Sequence, residues 1–148
     1  NIKNFGTLSP IPGFRDWFVN LDEKLVKNIL GNIPLENISF LKSSSLKIGD
    51  TRIISNKSAI YKLVAHYLMN EKNSKQLPIN DVCRFHLGNG AIIDDIVINA
   101  NISEVGFKRS FGVMVNYLYE LKNIEKNHEE YINKKATIIS NKVKKLIQ

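Results

Sequence analysis

Phe85-His86-Leu87-Gly88-Asn89-Gly90-Ala91 is the stretch from which the fold and the function of this chain are best approached. Apolar and polar residues alternate around it, a period of two that is typical of an extended strand. Asn89-Gly90 is a strong signal for a tight hairpin turn, because both residue types accept a positive φ at little cost. The pattern therefore predicts that His86 lies near the end of a strand, on its more polar face, and that residues 91–100 form the returning strand. On these residues alone, an ordinary solvated histidine on a surface hairpin is the simpler interpretation.

The composition is that of one globular domain. The 148 residues are 43% hydrophobic and 24% charged, which is enough apolar material for a core, and no apolar run is long enough to span a membrane. The single cysteine, Cys83, excludes an intrachain disulfide and a cysteine-rich zinc site. A cytoplasmic location is therefore the default expectation, while mitochondrial import stays open.

The formal net charge of +7 has two interpretations. A basic surface can attract a polyanion such as nucleic acid, or a phosphate-bearing molecule such as coenzyme A. The charge can also reflect a composition rich in Lys, Asn and Ile, since the arginines of this chain form no cluster in sequence. Compositional bias is the favoured interpretation, with phosphate attraction second and nucleic-acid binding third.

A serine turn followed by a helical pattern opens the chain. Pro10 restricts Ser9 to an extended conformation and prevents a helix from starting there. Apolar residues then recur at helical spacing, which predicts one amphipathic helix over residues 14–29. A strand, a sharp serine turn and a helix in this order can present a hydroxyl at the edge of a sheet.

Farther along, the pattern alternates between helix and strand. Helical spacing predicts a second helix over residues 57–73. Alternation of strand-forming residues predicts a strand over residues 112–119, with Tyr117 and Tyr119 on one face. No internal repeat and no domain boundary interrupt the chain, so these elements are expected to form a single unit.

Several chemistries are excluded because their motifs are missing from the sequence. It contains no Walker-type phosphate loop, no His-Glu-x-x-His zinc helix and no Gly-x-Ser-x-Gly nucleophile elbow. Asp94 and Asp95 could suggest a metal, but adjacent residues of a strand point to opposite faces, so the two carboxylates are not expected to share a site. Ser9 on its turn and His86 on its hairpin remain. They meet at one edge of a sheet if their strands are neighbours, which sequence spacing cannot show.

Three blocks of the sequence, in order and at similar separations, resemble malonyl-CoA decarboxylase. The blocks are Thr7-Leu8-Ser9-Pro10-Ile11-Pro12-Gly13-Phe14, Arg84-Phe85-His86-Leu87-Gly88-Asn89-Gly90-Ala91 and Gly112-Val113-Met114-Val115-Asn116-Tyr117-Leu118-Tyr119. Residues 65–72 add to the likeness, which is weakest over residues 35–56 and at the C-terminal end. Three long blocks are a far more specific match than any one of them.

This resemblance implies a fold, a reaction and a set of site residues. The fold is α/β, a mixed sheet flanked by helices, as part of an N-acetyltransferase-like acyl-CoA fold. The reaction is decarboxylation of malonyl-CoA to acetyl-CoA and carbon dioxide, with Ser9 as proton acceptor and His86 as proton donor. Tyr119 and Asn89 are further substrate-binding candidates. The reaction requires no metal and no cofactor, because coenzyme A is part of the substrate.

The resemblance also implies that residues 1–148 are the C-terminal portion of the catalytic domain. In this family the pyrophosphate-binding loop and an N-terminal helical domain precede the serine block. We therefore expect the upstream part of the same enzyme to be a partner of this segment, and the isolated segment to show little or no decarboxylation. A homo-oligomer is a further possibility, and neither nucleic acid nor a membrane is an expected partner.

Two other functions stay open at this stage. An acyl-CoA-dependent N-acyltransferase of the same fold would use the same groove to transfer an acyl group to an amine. A basic binding module without catalysis would instead bind nucleic acid in a salt-dependent way.

Overall fold

A three-stranded antiparallel sheet with helices around it forms the part of the chain, residues 3–148, that the computed structural model describes. The strands are β1 (Asn4–Ser9), β2 (Ile92–Val97) and β3 (Met114–Glu120). The helices are α1 (Phe14–Val19), α2 (Glu23–Leu30), α3 (Thr51–Ser55), α4 (Lys57–Asn70), α5 (Asp81–Gly88), α6 (Glu104–Ser110), α7 (Ile124–Lys134) and α8 (Asn141–Leu146). Short 3₁₀ turns occupy Leu35–Asn37, Ser39–Lys42 and Leu121–Asn123. Across residues 3–148, no helix combines the length and the apolar character needed to cross a bilayer.

The central strand of the sheet is β3, which pairs with β1 on one side and with β2 on the other. Its residues alternate as predicted: Val115, Tyr117 and Tyr119 are buried, and the residues between them are partly exposed. Strand β1 runs antiparallel to it and places Ser9 opposite Val115. Because directly opposed residues of paired strands project to the same face, Ser9 shares the buried face of β3.

The helix expected over residues 14–29 is two helices, so the prediction of a single helix was wrong. Helix α1 ends at Val19, and the side chain of Asp22 accepts a hydrogen bond from the backbone N–H of Lys24 at 2.9 Å, which starts α2. An aspartate at this position satisfies a free backbone N–H and so favours a new helix start. The helix expected over residues 57–73 is confirmed as α4, which is three residues shorter and buries most of its apolar face.

The strand and hairpin expected around His86 were also wrong, because residues 81–88 are helix α5. Its buried residues are Cys83, His86 and Leu87, which follow the i, i+3, i+4 spacing of a helix face. Cys83, Phe85 and Leu87 also fit an alternating pattern, and Asn89-Gly90 favours a hairpin, so the sequence pattern predicts a strand here. Asn89 has a φ of −96° and ends the helix, while Gly90 has the expected positive φ of 90°.

The two adjacent carboxylates, Asp94 and Asp95, lie at an irregularity of β2. The pairing of β2 with β3 shifts register between Ile93 and Asp95, a bulge that changes the direction of the side chains. The Nζ of Lys142 lies 3.8 Å from Asp94 and 3.9 Å from Asp95, so one ammonium group reaches both carboxylates. Within residues 3–148, no group of three or more His, Cys, Asp and Glu side chains is placed to hold a metal ion.

The predicted α/β class, with helices around a sheet, is confirmed. The pairings between the three strands are antiparallel, and the parallel component is an isolated bridge between Ile93 and Ile139. On the buried side, aromatic rings of α1 pack edge-on against Phe111, at 6.2 Å between centroids for Phe14 and 6.0 Å for Phe18. The end of β1, which carries Ser9, is thus joined directly to a well-packed core.

Gly90 and Gly49 offer a matched test of the close packing behind α5. Both have nearly the same positive φ, 90° and 87°, but a Cβ on Gly90 would lie 2.6 Å from the carbonyl oxygen of Ile124, whereas one on Gly49 would meet nothing within 4 Å. We expect Gly49→Ala to lower the free energy of unfolding by about 1–2 kcal/mol through backbone strain. Gly90→Ala should lower the free energy of unfolding by roughly 1–3 kcal/mol more than Gly49→Ala, because the added methyl group collides with Ile124. Thermal and denaturant unfolding of the two variants measures the difference, and equal losses would contradict the packing described here.

Candidate active site

Ser9, His86 and Tyr119 form a continuous chain of hydrogen bonds on the buried face of the sheet. Ser9 Oγ lies 3.1 Å from His86 Nε2, and His86 Nδ1 lies 2.6 Å from the Tyr119 hydroxyl. The three side chains are nearly covered, with exposed fractions of 4%, 8% and 8%. The structure therefore brings together three of the four residues predicted as site residues.

The position of Ser9 follows from the end of β1 and from its register. The strand stops at Ser9 because Pro10 has no N–H with which to continue the ladder. The antiparallel register pairs Ser9 with Val115 and Phe5 with Tyr119. The hydroxyls of Ser9 and Tyr119 consequently project from the same face of two neighbouring strands, and the imidazole lies between them.

The position of His86 depends on Asn80, which caps the start of α5. The Asn80 side-chain oxygen accepts a hydrogen bond from the N–H of Cys83 at 2.9 Å, and its Nδ2 donates to the carbonyl of Pro12 at 2.9 Å. Asn80 is fully buried, so both ends of its amide require these partners. One side chain thus links the helix of His86 to the turn that follows Ser9.

Sequence reasoning missed Asn80. A cap signal was available, because an asparagine followed by Asp81 is typical of a helix start. The alternating pattern after it was interpreted as a strand, and so the cap was not considered. The link to Pro12 has no local signal at all, since it joins positions 68 residues apart.

Aromatic rings surround the imidazole. The ring of Tyr117 is stacked on His86, with 4.4 Å between centroids and 22° between planes. Phe85 and Tyr119 present edges at 5.2 Å and 5.9 Å. Phe5 stacks on Tyr119 at 4.7 Å. Phe85 and Phe5 are 64% and 47% exposed, which places apolar surface beside the hydrogen-bonded chain.

Burial favours the neutral forms of His86 and Tyr119. It lowers the pKa of the His86 imidazole and raises the pKa of the Tyr119 hydroxyl. The direction of the hydrogen bonds depends on the tautomer of the neutral ring. Either Tyr119 donates to Nδ1 and Nε2 donates to Ser9 Oγ, or Ser9 donates to Nε2 and Nδ1 donates to the Tyr119 hydroxyl.

The other candidates lie outside this chain of hydrogen bonds. The Asn89 side-chain nitrogen donates to the carbonyl of Phe85 at 3.0 Å, at the exposed end of α5. His128 is exposed as expected, and its Nδ1 lies 2.7 Å from the carbonyl oxygen of Gly88. His66 is partly exposed on α4, 3.6 Å from a carboxylate oxygen of Glu71. Of the three histidines, His86 is the one that is enclosed between two hydroxyls.

Comparison with known proteins gives one consistent result. The family model described as "Malonyl-CoA decarboxylase C-terminal domain" matches residues 1–148. The mitochondrial malonyl-CoA decarboxylases of Anser anser anser and Mus musculus are each 29% identical to this chain, over 96% and 97% of its length. The chain spans about a third, 32%, of the length of each of these relatives.

Solved structures agree with the sequence comparison. Malonyl-CoA decarboxylase from Cupriavidus metallidurans superimposes with a TM-score of 0.77 and 32% identity, over 98% of this chain and 38% of that one. The enzyme from Rhodopseudomonas palustris gives a TM-score of 0.80 and 31% identity, over 97% of this chain and 33% of that one. The arrangement of strands and helices is therefore shared with these proteins.

The lowered pKa of His86 predicts a pH dependence with a definite sign. Between the folded-state pKa and the ordinary value of about 6.5, the unfolded chain binds the proton and the folded chain does not. The contribution of His86 to stability is thus complete above about pH 6.5 and is lost as the pH falls toward the folded-state pKa. An NMR titration of the imidazole, assigned with His86→Gln, should give a midpoint below 6.5. A midpoint at or above that value would contradict the burial described here.

Proposed function

The chain belongs to the malonyl-CoA decarboxylase family, and from this premise we propose that Ser9 and His86 are the catalytic pair for decarboxylation of malonyl-CoA to acetyl-CoA and carbon dioxide. The single observation that carries the proposal is the 3.1 Å contact between Ser9 Oγ and His86 Nε2, made by residues 77 positions apart. A buried contact between a hydroxyl and an imidazole is the arrangement through which a proton can be positioned and transferred.

The bond that breaks joins the carboxylate carbon of the malonyl group to its methylene carbon. As carbon dioxide leaves, the electron pair of that bond moves into the thioester carbonyl and forms an enolate. The enolate oxygen is stabilised by a hydrogen-bond donor placed where the negative charge develops. In this proposal the Ser9 hydroxyl is that donor until its hydrogen is transferred to the substrate carbon. The reaction proceeds without a metal or an organic cofactor, since coenzyme A belongs to the substrate.

The proton that completes the product comes from the imidazole. In the free chain, burial favours neutral His86. The carboxylate of a bound substrate, placed beside the ring, would raise its pKa again and draw a proton from solvent. After carbon dioxide has left, this proton passes to the former methylene carbon and His86 returns to its neutral form. One proton is taken up for each acetyl-CoA formed, which balances the reaction.

The hydrogen bonds of the imidazole support a proposed route for this proton. Both ring nitrogens are capped by hydroxyls, Nε2 by Ser9 and Nδ1 by Tyr119. In the protonated ring both nitrogens donate, so both hydroxyls accept and their own hydrogens become free to point at the substrate. We assign the transfer to Ser9, whose hydroxyl gives its hydrogen to carbon as Nε2 replaces it. Tyr119 then orients the ring, and Asn89 stays a predicted substrate-binding residue.

The proposal concerns residues 1–148 as the C-terminal portion of a catalytic domain. Support comes from the family match and from relatives about three times as long. The part that binds the pyrophosphate of coenzyme A is proposed to come from the upstream region of the same enzyme. A homo-oligomer and a cytoplasmic location stay predictions, beside relatives whose names place them in mitochondria.

His86→Gln in the full-length protein tests the function. It removes the titrating group, and a positioned proton transfer typically contributes ~10²–10⁴-fold, so kcat should fall by roughly that factor. The measurement is acetyl-CoA released from malonyl-CoA without any amine acceptor. His128→Gln, which alters an exposed histidine on α7, is the control and should keep the parental rate.

Three results would count against the proposal. A near-normal rate for His86→Gln would remove this residue from the mechanism. An equal fall in kcat in His128→Gln would show that the rate falls through a general loss of stability and not through loss of the His86 imidazole. Product that forms only when an amine is added would favour the acyltransferase.

A further inference from the structure

Tyr117 lies directly beneath the imidazole but outside the hydrogen-bonded chain. Its ring is fully buried on β3, two residues before Tyr119, and stacks on His86 at 4.4 Å and 22°. Strand β3 is the central strand of the sheet and is hydrogen-bonded to both β1 and β2. The backbone that carries Tyr117 is therefore held on both sides.

The hydroxyl of Tyr117 has no visible part in proton transfer. It is buried and has no hydrogen-bond partner among residues 3–148. The Cys83 thiol lies beside it, and burial raises the pKa of Cys83 to about 12 and raises that of Tyr117 well above its ordinary value. Both groups are therefore neutral at physiological pH. What Tyr117 supplies to the site is the flat face of its ring.

We propose that Tyr117 is a positioning residue for His86, whose ring plane it fixes so that Nε2 meets Ser9 while Nδ1 meets Tyr119. This inference rests on the proposed function of the pair and adds to it a residue whose hydroxyl lies outside the hydrogen-bonded chain. It also explains why a large aromatic side chain occupies the centre of the sheet at this position.

The geometry explains why the two hydrogen bonds are not enough. The ring is joined to the chain at Cβ and rocks about its Cβ–Cγ bond. Two hydrogen bonds limit this rocking only loosely, since they tolerate a range of angles, and larger rotations weaken both because N–H donors and nitrogen lone pairs lie in the plane of the ring. A flat surface packed against one face removes this freedom. Phe85 is 64% exposed and presents only an edge, so it is a poorer support than Tyr117.

Four variants of the full-length protein separate the ring from the hydroxyl and from general stability. Tyr117→Leu removes the flat ring. Tyr117→Met replaces it with a longer, unbranched chain that adapts to the space without a plane, which keeps the test available if the leucine variant does not fold. Tyr117→Phe restores the ring without the hydroxyl. Phe18→Leu makes a comparable loss in the core at a fully buried ring that does not contact His86.

The kinetic readout is kcat for acetyl-CoA formation, compared at a temperature where every variant is folded. We expect Tyr117→Leu or Tyr117→Met to lower kcat roughly 10- to 100-fold, because small misplacements of a reacting group cost rates of that order. KM should change by less than about threefold, since the ring does not bind substrate. Tyr117→Phe should recover the rate to within about threefold of the parent, and Phe18→Leu should keep it.

A second readout does not depend on activity. The ¹⁵N NMR signals of the His86 ring should show one protonated and one unprotonated nitrogen in the parent and in Tyr117→Phe. They should move toward a common, averaged position in Tyr117→Leu or Tyr117→Met. His86→Gln identifies the signals, and normal turnover by that variant would overturn the proposed function while the NMR result still decides the role of Tyr117.

The inference is overturned by any of three results. The first is an unchanged kcat with unchanged ring signals in the leucine and methionine variants. The second is a fall in kcat in Tyr117→Phe as large as the fall in Tyr117→Leu, which would assign the effect to the Tyr117 hydroxyl. The third is an equal fall in kcat in Phe18→Leu, which would assign the effect to a general loss of stability.

Discussion

The hydrogen bond between Ser9 and His86 is the constraint on which the rest of this structure depends. A hydroxyl or an imidazole buried without a partner costs about 1–3 kcal/mol, so each of these groups needs the other once water is excluded. The contact joins the end of an edge strand to a helix 77 residues away. It therefore requires the register of β1 on β3, the placement of α5 over the sheet and the turn between Ser9 and α1 to be correct together.

The need to hold Ser9 and His86 together also explains why Asn80 and Tyr119 are buried near them. Asn80 caps α5 and donates to the carbonyl of Pro12, so it ties the helix that carries His86 to the turn that follows Ser9. Tyr119 bonds the far nitrogen of the imidazole, and Tyr117 supports its face. Buried polar groups are costly unless they are paired, and here the pairing holds the His86 imidazole in a single orientation.

Local patterns in the sequence predicted the elements more reliably than their arrangement. The extended end of β1 at Ser9 and the shared face of Tyr117 and Tyr119 follow from proline sterics and from strand alternation, and both are confirmed. The pattern around His86 predicts a strand, whereas residues 81–88 form a helix, because so short a segment satisfies a period of two and a helical face at once. The convergence of Ser9 and His86 was expected from family resemblance, since no local rule encodes a contact over 77 residues.

A double-mutant cycle tests the central claim that Ser9 and His86 act as one unit. Ser9→Ala, His86→Gln and the double variant are compared with the parent by kcat/KM for malonyl-CoA in the full-length protein. If the proton passes through both groups, removing the second after the first should cost little, and the double variant should lie within about threefold of His86→Gln alone. Two losses that simply multiply would show that the residues act independently and would contradict the account.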